Sequence, residues 1–197
     1  MLNTTTWNRL RYSVYAPLYD VVVSRALRKP RRVALGQVDW EPGMRVLLVG
    51  AGTGLDLHFL PHELEIHLTD LTPAMVKRAR ARAERYQRDV SCRVMDATTL
   101  EYPDEHFDVV VMHLILAVMP NPELGLAEAY RVLKPGGRFY AATNGNNHML
   151  ELREAIVRID PALEDGFGSG EFGLDTGADQ LMPFFENVTC SRFDCDL

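Results

Sequence analysis

Hydrophobic and polar positions change period several times along the chain. Short apolar runs alternate with longer stretches in which apolar residues recur every three or four positions. The short runs at 46–49, 64–69, 90–95, 107–112, 138–143 and 188–193 predict strands. The run "FDVVVM" at 107–112 is apolar almost throughout, as in a strand covered on both faces. The longer stretches predict helices over 54–60, 73–86, 123–133, 148–159 and 178–185, and two more within 4–29 that Pro17 divides and Pro30 ends. "EPG" at 41–43 reads as a turn, and "KPGG" at 134–137 stops a helix before a strand. Strand and helix in strict alternation mean βαβ units. The fold class is therefore α/β: a Rossmann-like, doubly wound, mostly parallel sheet with helices on both faces. Nothing resembling a linker interrupts the pattern, so residues 1–197 read as one domain, with 1–38 as an N-terminal helical lid and 44–197 as the core.

One junction departs from ordinary strand-to-helix chemistry. In "VLLVGAGTGLDL" (46–57) the first strand runs into Gly50, Gly52 and Gly54, where bare backbone lets another group approach. In a doubly wound sheet this turn is where ligands sit. The second strand then ends at Asp70, twenty residues after Gly50, the spacing at which a carboxylate reaches ribose hydroxyls. Two alternatives stay open here: a tight turn without a ligand, and Asp70 as a cap for the helix that Pro73 begins, a job Thr72 could also do. A dinucleotide fingerprint would place its third glycine at 55, where this chain has Leu55. The pattern thus fits a cofactor with adenosine and no pyrophosphate, which argues against NAD.

Charge narrows the field further. The chain carries a net charge of −6, yet residues 1–38 hold seven Lys and Arg against Asp20 alone, a net +6 that leaves −12 for the remainder. An acidic body disfavours nucleic-acid partners, which need a basic face. The basic segment could fold over its own acidic body or contact an anionic membrane peripherally. No run approaches the length of a membrane span, and no signal-peptide pattern opens the sequence; with three cysteines (Cys92, Cys190, Cys195) the expected setting is cytoplasmic and reducing. Cys190 and Cys195, five apart on one expected strand, would point to opposite faces, so a shared metal or arsenic site is not expected and no metal is assigned.

Together "VLLVGAGTGLDL", Asp70, "VMDATTLEYPDEHFDVVV" and "EAYRVLKPGGRFY" resemble the class I S-adenosylmethionine-dependent methyltransferases. The small-molecule branch, with the ubiquinone/menaquinone C-methyltransferases and the bacterial phospholipid N-methyltransferases, is the nearest in pattern. The likeness spans about residues 10–145, and "YSVYAPLYD" (12–20) is similar to a segment preceding the first strand in that group. The resemblance implies an enzyme that binds S-adenosylmethionine and releases S-adenosylhomocysteine. It implies that Gly50, Ala51, Gly52 and Gly54 line the methionine and ribose, and that Asp70 holds the ribose hydroxyls. Leu71 and Met75 would flank the adenine, and Asp96 and Ala97 would meet its polar edge. His113 and Leu114 would lie near the sulfonium, and Tyr12 and Tyr19 would close over the cofactor. The family sheet has six strands and a seventh, antiparallel one; this sequence supplies only the sixth, so we expect six strands and an edge open to a homodimer.

Methyl transfer from a sulfonium needs alignment and dryness more than a catalytic triad. If the acceptor must lose a proton, His113 is the best-placed general base, the alternative being that it merely packs at the strand end. His148 is a second polar candidate that also reads as a helix start. The expected reaction is methyl transfer by in-line displacement to a small-molecule or lipid-like acceptor. The rival readings are a membrane-surface phospholipid N-methyltransferase and a non-catalytic cofactor-binding regulator.

Overall fold

The computed structural model describes residues 28–143 and 172–192. Within them, β1 (Arg45–Val49), β2 (Glu65–Asp70), β3 (Val90–Val94), β4 (Phe107–His113) and β5 (Leu133–Ala142) form one sheet in the order β3-β2-β1-β4-β5. Every neighbouring pair is parallel. Strand order reverses beside β1, which has β2 on one side and β4 on the other. That is the switch point at which such sheets open a crevice beyond their carboxyl ends.

Alternate residues of the central strands point to opposite faces, and both faces are covered. Leu47 and Val49 of β1 join Val110 and Met112 of β4 in one core with Leu126, Ala129 and Val132. Val46 and Leu48 join Val109 and Val111 in the other with Leu35, Val76 and Ala79. This double burial explains why residues 46–49 of β1 and 109–112 of β4 are apolar throughout instead of alternating. The covering helices are α1 (Arg28–Leu35), α2 (Pro73–Arg85), α3 (Pro122–Val132) and the short α4 (Gly177–Leu181). Both α2 and α3 begin with proline in the first turn, where a missing N–H breaks no helical bond. Beyond α2, the Arg88 guanidinium donates to the carbonyls of Leu57 and Leu60 at 2.8 and 2.6 Å and to that of Pro61, pinning the segment that follows the glycine turn.

The structure corrects three expectations. Pro30 does not end a helix: it lies in the first turn of α1, which continues to Leu35. The described end of the segment expected as a lid, residues 28–38, is tied to the core. Leu35 and Val38 are core residues, and Trp40 donates its indole N–H to the Leu35 carbonyl at 3.1 Å. The stretch 54–60 forms only a 3-10 turn, Leu55–His58. Finally, described residues 188–192 contain no strand, so the sixth strand expected at 188–193 and the dimer edge built on it are absent there. Among the described residues the sheet has five strands and β5 is its border beside β4. The phase of Cys190 and Cys195 on a strand therefore decides nothing; Cys190 is exposed and Cys195 lies outside the described residues.

The "KPGG" break is real but is absorbed into β5. Leu133 pairs with Phe107, while Arg138 pairs with Val109, so the intervening residues loop out as a bulge. The helix expected at 148–159, and His148 in it, lie outside the described residues.

Candidate active site

A cavity opens at the carboxyl ends of β1, β2, β3 and β4. Its lining includes Gly50, Gly52, Asp70, Leu71, Met75, Asp96, Ala97, His113 and Leu114, nine of the residues singled out from the sequence. The three glycines turn out to have different jobs. Gly50 and Gly52 both line the cavity, with φ of 63° and 57°, but a Cβ at Gly50 would run into the Ile115 side chain, so Gly50 makes room for Ile115. A side chain at Gly52 would meet nothing within 4 Å, so the space where its Cβ would stand belongs to the cavity. Gly54 is not in the lining; a Cβ there would come within 3.2 Å of Ala79 on α2, so this glycine lets the turn pack against the helix. Ala51 is also outside the lining, and its N–H donates to the Thr69 carbonyl at 3.0 Å.

Asp70 spans the turn. Its Oδ2 accepts from the Gly52 N–H at 2.8 Å and its Oδ1 accepts from the Thr72 N–H at 2.8 Å. Thr72 occupies the N-cap position of α2, which settles that role away from Asp70. Burial pushes the Asp70 carboxyl up, and the two backbone N–H groups pull it partly back. A carboxylate has about four lone-pair sites, so these backbone bonds and one from the Thr72 side chain leave capacity for a further hydroxyl donor. At the end of β3, Asp96 Oδ1 accepts from the N–H and Oγ1 of Thr98 at 2.9 and 2.8 Å, fixing the carboxylate at the rim. An open backbone cradle beside a carboxylate with a lone pair to spare fits a ribose-bearing cofactor such as S-adenosylmethionine.

The wall beyond β4 is built differently. His113 is buried, and its Nδ1 lies 3.1 Å from Asp56 Oδ1. The same oxygen accepts from Arg31 Nη1 at 2.7 Å. Burial alone would raise the Asp56 carboxyl, but the neighbouring His113 and Arg31 outweigh it and hold it well below the usual carboxylate range. Thus α1, the 3-10 turn and β4 meet in one buried polar cluster. Leu114 follows His113 with φ of 63°, a left-handed conformation unusual for a leucine, held by its N–H donating to the Ala142 carbonyl at 2.8 Å. Ile115, Val118, Met119 and Leu124 complete an apolar wall.

The sequence reading missed Arg31 and Asp56 as site residues, along with Thr72, Met95, Thr98 and the wall from Ile115 to Leu124. Asp56 lies directly after the glycine turn, and a carboxylate two residues beyond Gly54 is the one signal the sequence offers. Tyr12 and Tyr19 lie outside the described residues.

Comparison with known proteins accords with this geometry. Residues 47–141 match the family described as "Methyltransferase domain". The chain is 33% identical over 148 residues to the phosphatidylethanolamine N-methyltransferase of Cereibacter sphaeroides, covering 74% of this chain and 70% of that protein. It is 39% identical to the ubiquinone/menaquinone biosynthesis C-methyltransferase UbiE of a Ruegeria species, covering 64% of this chain and 54% of that protein. Among solved structures, it superposes with a TM-score of 0.64 and 29% identity on a chain of the complex between the Haloferax volcanii Trm112 methyltransferase activator and a methyltransferase, covering 75% of this chain and 66% of that one. The chain belongs to the S-adenosylmethionine-dependent methyltransferase family, with a Rossmann-like fold. It spans 70% of the first relative and about half of several others.

Proposed function

We propose that this protein transfers a methyl group from S-adenosylmethionine to a small, lipid-like acceptor. The observation that carries the reading is the open main chain at Gly52, tied by its N–H to the Asp70 carboxylate at 2.8 Å on the cavity wall. Asp70 would hold the ribose hydroxyls, Gly50 and Gly52 would admit the ribose and methionine, and Leu71, Met75, Asp96 and Ala97 would receive the adenine. Ala51 and Gly54 act behind this surface by fixing the turn, and Tyr12 and Tyr19 are proposed to cover it. When bound, the cofactor supplies an electrophilic methyl whose bond to sulfur breaks, with the electron pair staying on sulfur, as the acceptor bonds to carbon. The chain's own work is to align the acceptor against His113 and Leu114 and to keep water out with Ile115, Val118 and Met119.

Two features support a lipid-like acceptor: the apolar wall, and relatives named for phosphatidylethanolamine and for ubiquinone or menaquinone. The test is transfer of labelled methyl from S-adenosylmethionine to phosphatidylethanolamine, to a demethylated hydroquinone and to water-soluble amines. Turnover of either lipid-soluble acceptor is the expected outcome; cofactor binding without transfer to anything in a broad panel would mark a regulator instead.

A second reading adds the bilayer itself. No described helix is long and apolar enough to cross a membrane, so contact would be peripheral. Exposed Lys29 and Arg32 on α1 continue the basic N-terminal segment and suit an anionic surface. Co-sedimentation with phosphatidylglycerol vesicles should then fall as salt rises; no binding even at low salt would remove this reading.

A further inference from the structure

We propose that Asp56 is a positioning residue which, with Arg31 as its countercharge, presents Nε2 of His113 as a proton acceptor. The acceptor substrate would then carry a proton on its reacting group, as an ammonium or a hydroxyl, and not be a carboxylate. The proposal rests on the methyl-transfer reading and adds to it the chemical class of the acceptor.

The geometry supplies each step. His113 lines the cavity, and its Nδ1 faces Asp56 Oδ1 at 3.1 Å. An ionised carboxylate only accepts hydrogen bonds, so Nδ1 must carry the proton in the neutral ring. Nε2 is then left with a lone pair. It is buried and has no hydrogen-bond partner among the described residues. An acceptor buried without a donor is unfavourable, and a donor arriving in the cavity would satisfy it. Arg31 matters because its guanidinium, 2.7 Å from the same carboxylate oxygen, balances the Asp56 charge. The carboxylate therefore orients the imidazole without depending on a protonated ring. Every contact lies between separate elements, so the imidazole is held from α1 through the 3-10 turn to β4.

In the proposed step the N–H or O–H bond of the acceptor breaks and its electron pair stays on nitrogen or oxygen, which becomes the nucleophile. The proton moves to Nε2, and Asp56 stabilises the resulting imidazolium until the proton leaves to water. A carboxylate acceptor has no proton to give at neutral pH and would bring a negative charge towards the Nε2 lone pair and Asp56.

Nitrogen-15 NMR of the ligand-free full chain reads the ring directly. The expected spectrum of neutral His113 shows a protonated Nδ1 and a bare Nε2; the opposite tautomer overturns the proposal, whatever the activity. Initial rates follow, with dispersed phosphatidylethanolamine, a demethylated hydroquinone and a malonyl thioester as acceptors. His113→Gln should lower transfer to the first two by about 100-fold or more, the range for loss of a general base. Asp56→Asn should lower it by about tenfold or more and disturb the tautomer, with Asp56→Glu recovering part of both. Affinity for S-adenosylhomocysteine, read by calorimetry, should stay within about twofold in Asp56→Asn and Asp56→Glu. Wild-type rates in Asp56→Asn, or preferred turnover of the malonyl thioester, would contradict the assignment. No S-adenosylhomocysteine binding by wild type would instead fell the parent reading, and this one with it. Should Asp56→Asn not fold, the wild-type spectrum and the His113→Gln rates still decide.

Discussion

The two halves of the cavity are made of different materials. On the side of β1, β2 and β3 the wall is main chain and carboxylate: Gly50, Gly52 and the N–H groups that Asp70 and Asp96 gather over two to eighteen residues of separation. On the side of β4 it is side chains, held by Arg31, Asp56 and His113 across 25 and 57 residues of sequence. The first half is assembled by local turns and survives as a pattern; the second exists only when distant elements dock. Ligand affinity should reside mainly in the first half, and coupling between the site and global stability in the second.

Arg31→Met should have the largest effect. It removes the guanidinium from a buried carboxylate and should cost about 3–5 kcal/mol of stability in urea unfolding, as for other broken buried pairs. If that loss were under 1 kcal/mol, the β4 side would be no more tightly coupled than the glycine side. Asp70→Ala breaks the other half. Stability should change little, while affinity for S-adenosylmethionine falls by about 1–3 kcal/mol, the worth of charge-assisted hydrogen bonds. An unchanged affinity by calorimetry would remove Asp70 from the site.

Acid sharpens the contrast. The Asp56 carboxyl is depressed in the folded state, so its contribution to stability is complete above the ordinary carboxylate value near pH 4 and is lost as pH falls below it. Asp70 is shifted the other way by burial, so it does not add to this loss. Urea midpoints measured from pH 6 to pH 2 should therefore fall more steeply in wild type than in Asp56→Asn, and equal slopes would contradict the coupling. The smallest effect is expected at Leu114→Gly. Released left-handed strain of about 1 kcal/mol should roughly offset the lost packing, leaving stability within about 1 kcal/mol of wild type.

The same contrast explains what could be read in the sequence. The parallel sheet was visible because β1 and β4 are apolar on both faces, and the Gly50–Asp70 spacing was visible because the turn and the adjacent strand end are fixed by local geometry. Asp56 and Arg31 carried no such mark. A lone aspartate in a turn and one arginine among seven cations look like solvated charges until α1 is packed under the sheet. The failed strand at 188–193 has a related cause. "VTCSRF" has strand-like composition, but β-propensity mostly reports fit to a partner, and in residues 188–192 no such pairing forms. Pro30 misled for a simpler reason: proline stops a helix only beyond its first turn.

Methyl transfer here requires that the glycine turn and Asp70 form a seat for an adenosine-bearing methyl donor. Calorimetric titration of the full chain with S-adenosylmethionine, S-adenosylhomocysteine and NAD addresses this most directly. Saturable binding of the two sulfur compounds and none of NAD is the predicted result. Binding of NAD in preference, or of none of the three, would contradict it.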